Sequence, residues 1–238
     1  MNSSTMTKIY CDIADKKEIK KFINHPLVSG FTTNPTLMKQ AGVKNYEEYC
    51  KNLLKLLKKV NKSISFEVLA DDHENMKRQA LKINSWGKNI YVKIPVVNSK
   101  GKFQGKLISE LIEKKVKLNI TAVFSVDQTK KILKNVYKDS DIIISIFAGR
   151  LGDSGKDPIE IFKKSIQIKK KFKKVKILWA STREILHFIN AKKIKCEIIT
   201  MPPQMISKLT GLGTGSRMLS IKTVEGFIKD TKKANFRL

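Results

Sequence analysis

The chain has 238 residues, 41% hydrophobic and 29% charged, a balance that fits a soluble globular protein with a buried core. No apolar run approaches the ~18 residues that cross a membrane. Met1 to Tyr10 lacks the basic-then-apolar pattern of a secretory leader, and the absence of a disulfide framework among Cys11, Cys50 and Cys196 makes a reducing cytoplasm the expectation. The formal charge of +27 raises the question of nucleic acid, but only Arg78, Arg150, Arg183, Arg217 and Arg237 carry the planar fork that base and phosphate readers favour. The lysines are spread through helical stretches such as 51–62 and 163–176 with apolar residues between them, which reads as solvated helix surface. A basic barrel that binds nucleic acid without catalysis is the competing reading, and no recognition motif supports it. Cys11, Cys50 and Cys196 are odd in number and far apart, giving neither a disulfide framework nor a metal spacing.

In chain order, β-rich runs are expected at Ile9–Ala14, Gly30–Asn34, Ile64–Leu69, Ile90–Pro95, Lys117–Phe124, Ile142–Ala148, Lys176–Ser181 and Glu197–Pro202. Helical stretches separate them. Asp15 with Glu18, and Ser125 with Gln128, have capping-box spacing. Asp157-Pro158 places a proline at an expected first helical position, and Ser181 with Glu184 forms another possible box. Leu53, Leu54, Leu56, Leu57 and Val60 are spaced for a helix covering a sheet. Gly211 to Ser216 reads as a connection, and Ile221–Ala234 as an additional helix. Eight β-loop-α units predict a closed (β/α)8 barrel of the TIM type. We expect one domain over 1–238, with a helical tail at 219–238.

Strand side chains alternate faces, and in a barrel one face looks inward. Ile9, Cys11 and Ile13; Ile64, Phe66 and Val68; Ile90, Val92 and Ile94; Leu118, Ile120 and Ala122; and Ile142, Ile144 and Ile146 form the helix-facing sets. The opposite faces then carry Asp12, Glu67, Lys93, Asn119, Thr121 and Ser145 inward, joined by Asn34 from the second strand. Buried charges and amides are costly unless paired or used. Seven such groups from six strands point to an active site rather than to an inert polar network.

Lysine is protonated and unreactive in water, whereas desolvation disfavours its cation and exposes a nucleophilic amine suited to Schiff-base chemistry. Lys93 lies between Val92 and Ile94 on the expected fourth strand. Asp12 could move a hydroxyl proton as a C–C bond breaks, and Glu67 with Thr121 could hold the water exchanged with the imine. Asn34, Asn119 and Ser145 offer neutral hydrogen bonds to hydroxyls. Arg150 and Arg183 stand at strand ends although arginine is scarce, and Ser181, Arg183 and a helix start make a candidate phosphate site.

Asp12-Ile-Ala-Asp15, Thr32-Thr-Asn-Pro35, Phe66-Glu67-Val68, Val92-Lys93-Ile-Pro95, Asn119-Ile-Thr121 with Phe124-Ser125, Ser145-Ile-Phe-Ala-Gly-Arg150 and Ala180-Ser181-Thr-Arg183 together resemble the transaldolase family, from Asp12 to about Leu209. The resemblance implies a transferase of dihydroxyacetone units between ketose and aldose phosphates, with no cofactor or metal. It implies Lys93 as the Schiff-base lysine, Asp12 as acid/base, and Glu67 with Thr121 as the water pair. Asn34, Asn119, Ser145 and Phe147 would line the sugar site, and Arg150, Ser181 and Arg183 would hold the phosphate. Fructose-6-phosphate aldolases of the same family release free dihydroxyacetone and carry Gln and Tyr where this chain has Glu67 and Phe147. Departures from the family pattern are Ile13, Ile146, the run Asn98 to Gln104 and the tail after Gly211. The resemblance further implies a homo-oligomer, a place in carbohydrate metabolism such as the pentose phosphate pathway, and no specific nucleic-acid or membrane partner. The positive field would help steer anionic sugar phosphates inward.

Overall fold

The computed structural model describes residues 6–234. Eight parallel strands close into a barrel in sequence order, β1 pairing with both β2 and β8. The elements are β1 (Lys8–Asp12), α1 (Lys16–Phe22), β2 (Val28–Thr32), α2 (Pro35–Gln40), α3 (Tyr46–Leu57), β3 (Ser63–Glu67), α4 (His73–Asn84) and β4 (Ile90–Pro95). They continue through α5 (Gly105–Glu113), β5 (Leu118–Val123), α6 (Val126–Leu133), β6 (Ile142–Phe147), α7 (Ala148–Asp153), α8 (Ile159–Ile168) and β7 (Lys176–Ala180). α9 (Ile185–Lys193), β8 (Ile198–Met201), α10 (Pro203–Lys208) and α11 (Ser216–Ala234) complete the order. The fold is the expected TIM barrel, including the short eighth strand. The chain divides into two compact units between Ile206 and Ser207, and the second contains α11. The expected single domain over 1–238 and tail at 219–238 both extend past the described residues.

The alternation in the sequence sorts the side chains. Ile9, Cys11, Ile64, Phe66, Ile90, Val92, Ile94, Leu118, Ile120, Ile142, Ile144 and Ile146 are all buried on the helix side. Inside the barrel, Tyr10, Tyr91, Ile143, Leu178, Ala180 and Ile198 form an apolar plug. The Tyr10 ring reaches across so closely that a Cβ on Gly30 would lie 2.7 Å from it, so only glycine fits there. The Tyr10 hydroxyl meets Ser63 Oγ at 3.0 Å, and Tyr91 donates to Asp141 at 2.8 Å. A filled floor leaves the opposite, C-terminal mouth as the place for chemistry.

All strands but β4 end one or two residues earlier than the apolar runs suggested, and after β2 a residue beyond the strand caps the next helix. Asn34 leaves β2 and its Oδ1 accepts from Leu37 N at 2.9 Å. Asp15 and Ser125 cap α1 and α6 as expected, although Gln128 Oε1 reaches back to Phe124 N rather than to Ser125. Two expected helix starts are corrected. Pro158 stands at the cap of α8 rather than at its first helical residue, with Asp157 Oδ1 accepting from Ile159 N at 2.9 Å. Ser181 does not cap α9, which begins at Ile185; its φ of 60° turns the chain before the helix can start. The last helix begins at Ser216, ahead of the expected Ile221.

Candidate active site

Strand register assembles the site. β3 and β4 pair with Glu67 opposite Lys93, and β4 and β5 pair with Lys93 opposite Asn119. β1 and β2 pair with Asp12 opposite Thr32. All of these side chains are inward by parity. They open into one cavity of about 540 Å³, also lined by Asn34, Thr121, Ser145, Phe147, Arg150, Ser181 and Arg183. Every site residue expected from sequence lines this one cavity.

Lys93 lies at its base and is 7% exposed. Its Nζ is 3.0 Å from Glu67 Oε2 and donates to the Thr33 carbonyl at 3.2 Å. The desolvated amine expected from the sequence sits in a polar pocket, directly against the Glu67 carboxylate. Glu67 is itself anchored through its backbone, whose N–H donates to the Tyr46 hydroxyl at 3.0 Å while that hydroxyl donates to the Glu67 carbonyl at 2.8 Å.

Asp12 occupies the end of β1. Burial pushes its carboxyl above the ordinary range, the Lys93 charge and the Thr32 hydrogen bond pull it back, and the Glu67 charge pushes it further up. Thr32 Oγ1 donates to Asp12 Oδ1 at 2.6 Å. A carboxyl whose affinity for its proton is raised by burial in this way is suited to proton transfer.

On the far side of Lys93, Ser145 Oγ donates to Asn119 Oδ1 at 2.7 Å, and Asn119 Nδ2 donates to Ser65 Oγ at 3.1 Å. These bonds fix the amide's orientation. Thr121 Oγ1 is buried and has no hydrogen-bond partner in the protein. An unpaired buried hydroxyl on the lining of a polar cavity marks a place where water or substrate completes the bonding. Alternation assigned Ala122 to the helix face, yet it lines the cavity beside Thr121. The reason is a register shift in β5 after Ile120, with Ala122 at a φ of 57°. Such irregularities re-aim side chains near active sites.

The cavity rim is basic. Arg150 is exposed, its guanidinium carbon 5.9 Å from the centre of the Phe147 ring. Arg183 is exposed and Nη2 donates to Asp153 Oδ2 at 2.7 Å. Phe147 packs on Phe124 with ring centres 5.7 Å apart. Gly149, in the first turn of α7, lets the Ser181 carbonyl approach to where a Cβ would be only 1.8 Å away. Burial pushes the three free thiols up, Cys11 and Cys50 to about 12, which leaves none of them suited to act as a nucleophile. Thr32 and Thr200 also line the cavity and were not among the expected residues. Extending the parity of Gly30 and Asn34 on β2, and of Ile198 on β8, would have found both.

Residues 9–238 match the family described as Transaldolase/Fructose-6-phosphate aldolase. The chain belongs to this family. It is 34% identical over 238 residues to a probable transaldolase of Thermoplasma volcanium, covering 96% of each chain. It is 32% identical over 229 residues to one of Nitrosopumilus maritimus, covering 95% of each. Among solved structures, this transaldolase/aldolase barrel resembles N-acetylneuraminate lyase of Mycoplasma synoviae, with TM-score 0.58, 12% identity and coverage of 98% and 80%. It likewise resembles 2,3-dimethylmalate lyase, with TM-score 0.55, 10% identity and coverage of 98% and 85%. At such identities the likeness is one of fold. Among the described residues, this family member gathers no group of three or more His, Cys, Asp or Glu suited to a metal ion. No described helix is long and apolar enough to cross a membrane.

Proposed function

We propose that the chain transfers a dihydroxyacetone unit from a ketose phosphate to an aldose phosphate through a Schiff base on Lys93. The observation that carries this is a nearly buried amine at the base of a sugar-sized cavity, with Glu67 3.0 Å away and Asp12 near enough for the Lys93 charge to act on it. In this reading the Lys93 amine, its proton passed to Glu67, adds to the ketone carbon, and the carbonyl oxygen leaves as water. The imine nitrogen then draws electrons from the C3–C4 bond, while the Asp12 carboxylate takes the C4 hydroxyl proton and the aldehyde departs. The acceptor aldehyde adds to the remaining enamine, and Asp12 returns the proton to the new alkoxide. Glu67 and the unpaired Thr121 hydroxyl hold the water that hydrolyses the product imine. Asn34 spends its carbonyl on capping α2, which leaves its NH2 to donate to the substrate. Asn119 and Ser145 contact the dihydroxyacetone hydroxyls, Phe147 walls the site, and Arg150, Ser181 and Arg183 hold the phosphate.

Transfer is favoured over release of free dihydroxyacetone by Glu67 and Phe147, which stand where the aldolase members carry Gln and Tyr. The same reading makes the protein a cytoplasmic homo-oligomer serving sugar-phosphate interconversion of the pentose phosphate kind, without nucleic-acid or membrane partners. Support for assembly comes from α11, on which Met218, Leu219, Ile221, Val224, Phe227 and Ile228 are exposed in the single chain. The deciding experiment is incubation with fructose 6-phosphate and borohydride, followed by peptide mass analysis. The expected result is a reduced dihydroxyacetone adduct on the Lys93 peptide. A folded protein left unmodified there would refute the proposal.

A further inference from the structure

Behind Asp12 the hydroxyls of two distant strands meet. Thr32 Oγ1 on β2 lies 2.6 Å from Asp12 Oδ1 and 2.5 Å from Thr200 Oγ1 on β8. Thr200 Oγ1 in turn lies 3.5 Å from the Tyr10 carbonyl of β1. Thr32 is 3% exposed and Thr200 5%, and both border the cavity that holds Asp12.

A hydroxyl carries one proton, which limits how this row can be wired. With Asp12 ionised, Thr32 must donate to the carboxylate, and Thr200 donates to Thr32. With Asp12 protonated on Oδ1, the carboxyl proton points at Thr32, Thr32 donates to Thr200, and Thr200 donates to the Tyr10 carbonyl; with the proton on Oδ2, Oδ1 goes on accepting from Thr32 and the row keeps its first direction. Within either wiring, reversing one hydroxyl alone sets two lone pairs or two protons face to face across about 2.5 Å. The direction of the whole row is thus tied to whether Asp12 Oδ1 carries the proton. Only O–H rotors turn: the proton Asp12 takes up stays on Asp12, and no reactant is consumed.

We propose that Thr32 and Thr200 form a two-state hydroxyl relay that keeps Asp12 hydrogen-bonded as both carboxylate and acid, with Thr200 a positioning residue for the proton-transfer step. The proposal rests on the reading of Asp12 as the acid/base. The charged groups acting on Asp12 are Lys93 from β4 and Glu67 from β3, and Cys11 is its titratable neighbour on β1. Thr32 and Thr200, contributed by β2 and β8, are uncharged. The two charges on β3 and β4 bias the carboxyl in opposite directions, and the neutral relay is what accommodates either outcome.

Removing the Thr200 hydroxyl affects the two states unequally. In the ionised state Thr32 still donates to Asp12. With the proton on Oδ1 the Thr32 proton loses its acceptor. The acid form is therefore disfavoured and Asp12 releases its proton more readily. The experiment is a 13C-carboxyl NMR titration of the full chain without substrate, the Asp12 signal being identified by its absence in Asp12→Asn. For Thr200→Val the midpoint is expected to fall by about 0.5–1 pH, the equivalent of one neutral hydrogen bond. Thr200→Ser, which restores the hydroxyl, is expected to titrate like the native chain. Thr200→Ala removes the same hydroxyl with less bulk and reads the same shift if valine is not accommodated. An unmoved midpoint in Thr200→Val or Thr200→Ala, or an equal fall in Thr200→Ser, overturns the relay. Borohydride trapping is run alongside. Absence of the Lys93 adduct in the native chain strikes at the proposed chemistry, while the titration still judges the relay.

Discussion

Replacing Gly149 by alanine tests whether the loop after β7 binds phosphate. The new methyl group would lie 1.8 Å from the Ser181 carbonyl oxygen, 2.8 Å from Arg183 Cγ and 2.9 Å from Ser181 Oγ. Reaching an ordinary separation of 3.4 Å means the carbonyl must retreat by about 1.6 Å, and it is backbone rather than a flexible side-chain end. Two effects on stability compete. Alanine gains at most about 1 kcal/mol in a helix over glycine. Overpacking of this kind costs about 1–3 kcal/mol. The net loss of about 0–3 kcal/mol corresponds to a melting temperature lowered by at most roughly ten degrees, so the variant should fold. Its binding should change far more, because both Ser181 and Arg183 are displaced. A charge-assisted hydrogen bond contributes about 1.5–3 kcal/mol, so kcat/KM for fructose 6-phosphate should drop about ten- to a hundredfold or more. Unphosphorylated fructose, which never used those groups, should lose little. The assay compares both sugars on one preparation whose melting curve is also recorded. Equal losses on the two, or an unchanged preference for the phosphorylated sugar, would show that this loop is not the phosphate site.

Three further outcomes are expected. Arg183→Ala should lower kcat/KM for fructose 6-phosphate by about ten- to a hundredfold and spare fructose, with Arg183→Lys recovering only part because the charge stays and the fork is lost. Burial raises the Asp12 carboxyl in the folded state, so its contribution to stability is fully present below the unfolded pKa of about 3.9 and is lost as pH rises through the folded value. Asp12→Asn should then melt above the native chain near pH 8 and lose that advantage in acid; an advantage that grows toward low pH would contradict the sign. Sedimentation of the full chain and of a chain ending at Met218 should show a smaller assembly for the truncated form, and a monomer in both would remove the case for α11 as an assembly element.

The barrel and most of its mouth were legible because period-two alternation survives in β1, β3, β4 and β6, and in β5 as far as Thr121. An inward Asp, Glu or Lys among isoleucines and valines is costly on a strand buried on both faces unless it is paired or used. What escaped was set by contacts the sequence does not display. Thr32 and Thr200 are 168 residues apart, and only barrel closure brings their hydroxyls together. Ala122 broke the alternation because a register shift in β5 put two successive residues at the cavity. Ser181 and Glu184 had the spacing of a capping box, but the turn out of β7 needed a positive φ at Ser181 and delayed the helix to Ile185. The partnership of Arg183 with Asp153 likewise joins the loop after β7 to the end of α7.

The difference between the two carboxylates follows from the same closure. Glu67 sits on the strand next to Lys93 and is paired with it at 3.0 Å, so in the proposed reaction its task concerns the amine and the water exchanged there. Asp12 comes from β1, two strands further round, and is held by hydroxyls instead of by a direct ion pair with Lys93. A neutral hydroxyl can face either a carboxylate or a carboxylic acid, whereas a close ammonium favours only the carboxylate. Placing the hydroxyl row behind Asp12 and the amine against Glu67 therefore gives the two carboxyl groups different partners, a neutral donor for one and the Lys93 amine for the other. In the proposed reaction Asp12 takes a proton at bond cleavage and returns it at bond formation, and a hydroxyl neighbour suits it in both states.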